Sequence, residues 1–131
     1  MKSSAEVVYA VFDALAREDM SGLLSLFDEN IVIVEPESLP CGGTFHGPEA
    51  FRKGVLMVMG GKFRIRVLRC RVIGDGDTVA VSADLEFTSR TSGRTLIMPY
   101  VELHTIADGK VTRVEVFPQD THRLVEFWNQ N

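Results

Sequence analysis

The hydrophobic period of this chain changes once, at Lys62, and that change limits the fold more than any other feature. Before it, apolar residues recur every three or four positions; after it, they alternate. Val8, Val11, Phe12 and Leu15 form the stripe of an amphipathic helix over residues 5–17, because 3.6 residues per turn bring such positions onto one face. Ser3 or Ser4 can cap it, since a short hydroxyl side chain satisfies a free N–H of the first turn. Asp19-Met20-Ser21-Gly22 breaks the stripe, and Leu23, Leu24, Leu26 and Phe27 give a second short helix, closed by Asp28-Glu29-Asn30. Residues 31–35 are short and β-branched, a strand that Pro36 stops because proline donates nothing to a ladder. Residues 37–47 carry glycines and Pro40 and read as a loop. Pro48 then suits the first position of a third helix, whose apolar face is Phe51, Val55, Leu56 and Met59 and whose end is Gly60-Gly61.

Beyond Lys62, Phe63, Ile65 and Val67 alternate with arginines, and Leu68, Cys70 and Val72 continue in the opposite phase. One slipped phase predicts a β-bulge at Val67-Leu68. Gly74-Asp75-Gly76-Asp77, Thr91-Ser92-Gly93 and Ala107-Asp108-Gly109 are turn signals that cut the rest into an antiparallel meander of four strands. The tail over residues 120–128 reads as either a short helix or a strand-like end. Helices followed by hairpin-linked strands give an α+β class, with helices on one face of a curved, mainly antiparallel sheet. A chain of 131 residues supports one such core, so a single domain over residues 1–131 is expected.

The net charge of -4 disfavours a nucleic-acid partner. Residues 1–4 run straight into an amphipathic segment, and no apolar run nears the roughly 20 residues that span a bilayer. No membrane association is expected, and the expected location is the cytoplasm. Two cysteines, Cys41 in the loop and Cys70 in a strand, form no disulfide framework. Cys41 has no adjacent base in sequence to activate it as a thiol.

The run Asp13-Ala14-Leu15-Ala16-Arg17-Glu18-Asp19-Met20-Ser21-Gly22-Leu23-Leu24-Ser25-Leu26-Phe27-Asp28-Glu29-Asn30, the strand ending in Glu35-Pro36, and Phe45-His46-Gly47-Pro48-Glu49-Ala50-Phe51 carry a resemblance. With Met98-Pro99-Tyr100 and Asp108-Gly109-Lys110-Val111, the chain resembles nuclear transport factor 2-like proteins, nearest to ketosteroid isomerases and SnoaL-like polyketide cyclases. The resemblance implies a cone-shaped α+β barrel in which three N-terminal helices and a bent sheet enclose a pocket. It also implies that Glu35, the carboxylate preceding a proline at the end of the first strand, stands where the isomerases keep their base. The isomerases' oxyanion donors, a tyrosine and a protonated aspartate, fall by ungapped alignment on Val11 and Val101. Losing one such donor typically costs about two to three orders of magnitude in rate, so a steroid isomerase of the usual kind is not expected.

Glu35 is therefore the expected general acid or base, in a lining of Val11, Phe12, Phe51, Val55, Leu85, Val101, Val114 and Val116 whose desolvation should raise its pKa. His46, at the end of the loop, is a second candidate for moving protons. If Val101 faces the pocket, Tyr100, Glu102 and His104 face the other side of the sheet. Tyr9, about 200° around the helix from Val11, points away from the pocket as well. The arginine stripe of Arg64, Arg66, Arg69 and Arg71 is explained by cross-strand pairs with Asp84, Glu86, Glu102 and Glu115. His104, Glu102 and His122 match no compact ligand set, so no metal is expected. Tyr100, Phe117 and Trp128 are expected to anchor a homodimer through the exposed sheet face. Two functions stay open: a cofactor-free isomerase, cyclase or dehydratase for a small apolar molecule, and a binding or interaction module that uses the same pocket without chemistry.

Overall fold

The computed structural model describes residues 2–131. The first helix, α1 (Ser4–Ala16), begins with a capping box: the Ser3 hydroxyl accepts from the Glu6 N–H, and the Glu6 carboxylate accepts from the Ser3 N–H. Each bond satisfies a donor that the helix start would otherwise strand. Helix α2 (Met20–Ser25) is capped by Asp19. Strand β1 (Phe27–Glu35) starts earlier than its β-branched run, so Asp28, Glu29 and Asn30 belong to the strand and do not close the helix. Strand β6 (Lys110–Pro118) pairs parallel to β1 at Phe27 and again from Val32 to Val34, and the register shifts across the residues between.

The supposed loop also holds a strand, β2 (Gly43–His46), which adds antiparallel to β1. The third helix is one run of three pieces: α3 (Pro48–Phe51), a π-helical turn (Arg52–Leu56) and α4 (Met57–Lys62). Strands β3 (Phe63–Ile73), β4 (Thr78–Ser89), β5 (Thr95–Ala107) and β6 form the meander. The β3–β4 register slips between Val67 and Arg69, where the sequence places a bulge, and leaves Leu68 41% exposed. Asp108 and Gly109, both with positive φ, make the β5–β6 turn, a conformation Asp-Gly favours. The tail is helical, α5 (Thr121–Gln130).

The sheet is six-stranded and mixed, in the order β2-β1-β6-β5-β4-β3, with β1 and β6 parallel and the other pairs antiparallel. One hydrophobic cluster runs from α1 through the inner sheet face to α5. Trp128 belongs to it: its ring meets Phe63 edge-on at 5.1 Å and is 7% exposed, so it is core and cannot anchor a partner as expected. On the outer sheet face, Arg66 pairs with Glu86 at 3.3 Å and Arg69 with Asp84 at 3.0 Å. Glu115 pairs along its own strand with Arg113. Among the described residues no helix is long and apolar enough to cross a membrane.

Candidate functional site

The inner face of β5 is opposite to the one implied by aligning Val101 with the isomerases' aspartate. Val101 is 45% exposed, whereas Tyr100 and His104 are buried at 4% and 1%. The strand is apolar in both phases, with Leu96, Met98 and Tyr100 in one and Ile97, Val101 and Leu103 in the other, so alternation cannot choose between them. Its neighbour decides. Val114 and Val116 of β6 face inward, and their register partners are His104 and Glu102. A slip between Thr105 and Ile106 resets the phase just before the hairpin.

This places three ionisable groups in one interior chamber of about 70 Å³: Glu35 from β1, and Glu102 and His104 from β5. The remaining wall is apolar and includes Val11, Phe12, Phe51, Leu85, Val114 and Val116, all expected there, together with Leu15, Leu23 and Leu56. Val55 is buried in the core without lining the chamber. His46 is exposed on β2, an edge strand, and is no part of the wall. Tyr9 points away as expected; its hydroxyl accepts from the Val72 N–H at 3.0 Å and ties α1 to β3.

Glu35 is 8% exposed and makes no ion pair among the described residues. Burial, helped by the nearby Glu102 carboxylate, pushes its pKa up to about 8. The carboxyl is thus mostly protonated at neutral pH and can donate. Its neighbours feel the same apolar surroundings: burial first, then the charge of Glu35, pushes the Cys41 thiol up to about 12 and raises the Tyr100 phenol. Cys41 and Leu39 reach the interior because residues 36–42 fold back in two successive turns, Leu39 N–H to Pro36 C=O and Gly42 N–H to Leu39 C=O. Glu35 also lines an outer groove of about 450 Å³ with Glu37, Glu115 and Phe117.

His104 and Glu102 form a dyad. The His104 Nε2 lies 2.8 Å from a Glu102 carboxylate oxygen, and Phe12 packs against the ring at a centroid distance of 6.1 Å. A carboxylate held at Nε2 keeps the proton there and leaves the lone pair on Nδ1. That Nδ1 is buried without a hydrogen-bond partner, the one such side-chain atom among the described residues. A buried polar atom of this kind costs about 1–3 kcal/mol unless something bonds to it. The chamber therefore offers an oriented acceptor or base, His104, together with a neutral carboxyl donor, Glu35. Among the described residues no His, Cys, Asp and Glu group has a metal-binding arrangement, and His122 instead lies beside Glu126 on α5.

A model of the SnoaL-like domain matches residues 8–114. The chain belongs to the SnoaL-like family. Solved structures match the fold across almost the whole chain. A nuclear transport factor 2-like protein of Burkholderia thailandensis superposes with a TM-score of 0.86 at 20% identity, covering 100% of this chain and 99% of that one. A polyketide cyclase candidate of Xanthomonas campestris superposes at 0.81 with 21% identity, covering 92% and 93%. TerC, co-crystallised with polyporic acid, superposes at 0.80 with 29% identity, covering 92% and 96%. Comparison with curated proteins gives no match. The fold of this SnoaL-like protein is thus α+β and nuclear transport factor 2-like.

Proposed function

We propose that this SnoaL-like protein is a cofactor-independent acid–base catalyst, an isomerase, cyclase or dehydratase, acting on a small, largely apolar compound whose carbonyl end enters the chamber. The observation that carries this reading is that His104, whose Nδ1 is buried without a partner, lines the same hollow as a carboxyl whose surroundings keep it protonated. In the proposed step, Nδ1 takes a proton from the carbon next to the carbonyl. The C–H electron pair moves into a C=C bond, and the carbonyl oxygen takes up the Glu35 proton or its hydrogen bond. Glu102 stabilises the imidazolium that forms. The step balances without an oxidant, and positioned acid–base groups typically contribute 10²–10⁴-fold, as an order-of-magnitude estimate. Polyporic acid in TerC crystals supports a small-molecule reading of the shared fold. The cone-shaped enclosure implied by the resemblance belongs to this proposal.

The test is deuterium exchange next to the carbonyl of 4-phenyl-2-butanone, followed by NMR. Exchange above the buffer rate should fall on the order of 100-fold in His104→Ala. Exchange no faster than buffer for the wild-type protein would end the catalytic reading.

A second reading, a binding module without turnover, draws on the small size of the chamber, which holds roughly the volume of two waters. Ligand binding with no exchange in any variant selects it. For a partner, we propose a second copy of the chain docked on the outer sheet face, where the register partners Val101 and Phe117 expose 45% and 52% of their surface. Two adjacent exposed apolar side chains are a minimal centre for such an interface.

A further inference from the structure

A second hollow lies against the chamber. It occupies about 200 Å³ between α1, α2, α4 and β3, with Met20, Met59, Phe63 and Ile65 in its wall. Leu15, Leu23 and Leu56 line both hollows. Leu56 stands at the last position of the π turn, an irregularity that helices often carry at functional sites.

Charged residues at the rim of this vestibule are largely occupied with the backbone. The Asp19 carboxylate accepts from the Gly22 N–H at 3.0 Å, and the Arg90 Nε donates to the Gly60 carbonyl at 2.7 Å. Glu18 stands exposed at the same rim, and the rest of the wall is mostly apolar. The chamber wall is mostly apolar too, but its ionisable side chains Glu35 and His104 are buried, and it has too little room for a whole ligand. Small-molecule sites usually measure about 300–1,000 Å³, and the two hollows joined approach the lower limit.

We infer that the ligand is bipartite, with a hydroxyl or carbonyl head bound by His104 and Glu35 in the chamber and an apolar tail that passes Leu15, Leu23 and Leu56 into the vestibule. The three leucines form the constriction that sets how wide the joint between head and tail can be. This inference rests on the chamber being the ligand site, and it adds the substrate class: an amphiphile with one polar end, longer than the chamber can hold. Flat or linear joints pass the leucines, and branched ones do not.

The probes are phenol and its 4-ethyl, 4-butyl and 4-hexyl derivatives, titrated calorimetrically into the full chain, because a phenolic hydroxyl is the donor that Nδ1 lacks. Affinity should rise roughly fourfold per buried methylene. Ile65→Glu, which changes the vestibule wall alone, should flatten that rise and leave phenol itself bound as before. His104→Ala should lower the affinity of every member by a similar factor. Circular dichroism and a thermal melt establish that both variants are folded. If His104→Ala weakens binding but chain length has no effect, or if the length effect survives Ile65→Glu, the bipartite inference fails and the chamber reading stands. Binding that ignores His104, or no binding by any member, overturns both. A 4-tert-butyl group that binds as tightly as 4-butyl would remove the constriction.

Discussion

At the level of single residues, the chamber owes its character to a carboxyl that the fold keeps from ionising. Glu35 has an ordinary pKa of 4.5 outside this environment and about 8 inside it, chiefly because burial withholds water from the charge. Between those values the folded chain holds a proton that the unfolded chain has released, so stability falls as pH rises. The contribution is intact below about 4.5, declines through the interval and is gone above about 8. Glu35→Gln cannot ionise and should lose that slope, leaving the variant more stable than wild type at pH 8.5 by on the order of 5 kcal/mol. Urea unfolding at pH 5 and pH 8.5 measures it, and parallel pH dependence of the two proteins would show that Glu35 ionises freely. The Tyr9 hydroxyl offers a plainer test. Its bond to the Val72 N–H is exposed, and Tyr9→Phe should cost about 1 kcal/mol in the same measurement.

At the level of elements, the segment between β1 and β2 governs the environment of Glu35. Its two turns press Leu39 and Cys41 into the interior, and they close so tightly that a side chain at Gly42 would lie 2.1 Å from the Pro36 carbonyl oxygen and 2.8 Å from those of Glu37 and Leu39. These atoms belong to the backbone and cannot rotate aside. Gly42→Ala should therefore destabilise the protein by about 1–3 kcal/mol, and by opening the cover over Glu35 it should lower that carboxyl's pKa toward the ordinary range. A carboxyl titration followed by NMR reads the second effect. An unchanged melting temperature would mean the segment does not pack as described. The start of α1 is held by the Ser3–Glu6 box, and Ser3→Ala should cost about 1 kcal/mol.

At the level of the whole molecule, the sheet has two faces of different chemistry. The inner one carries the core and the chamber; the outer one carries arginine–carboxylate pairs beside exposed Val101, Phe117 and Ile97. Exposed ion pairs contribute little to stability. Under the dimer proposal, light scattering should give twice the 14.6 kDa chain mass, and Phe117→Lys should return it to one chain without altering the melt by more than about 0.5 kcal/mol. A single-chain mass for the wild-type protein at micromolar concentration would dismiss the dimer.

Family resemblance singled out Glu35; the sequence by itself determined the α+β class, the first helix and its cap, the bulge near Leu68 and the four-strand meander. Each is local: a period, a capping hydroxyl, a turn dipeptide or a proline acts on residues within a few positions of itself. The chamber's other half needed the tertiary structure. The side chains of β5 alternate whichever way the strand faces, and with apolar residues in both phases only pairing with β6 turns Glu102 and His104 inward and Val101 out. The parallel ladder that holds Phe27 and Val32 likewise runs to residues some eighty positions away. Hydrogen bonds between strands are made at a distance in sequence, so the dyad that completes the site exists only once those strands have met.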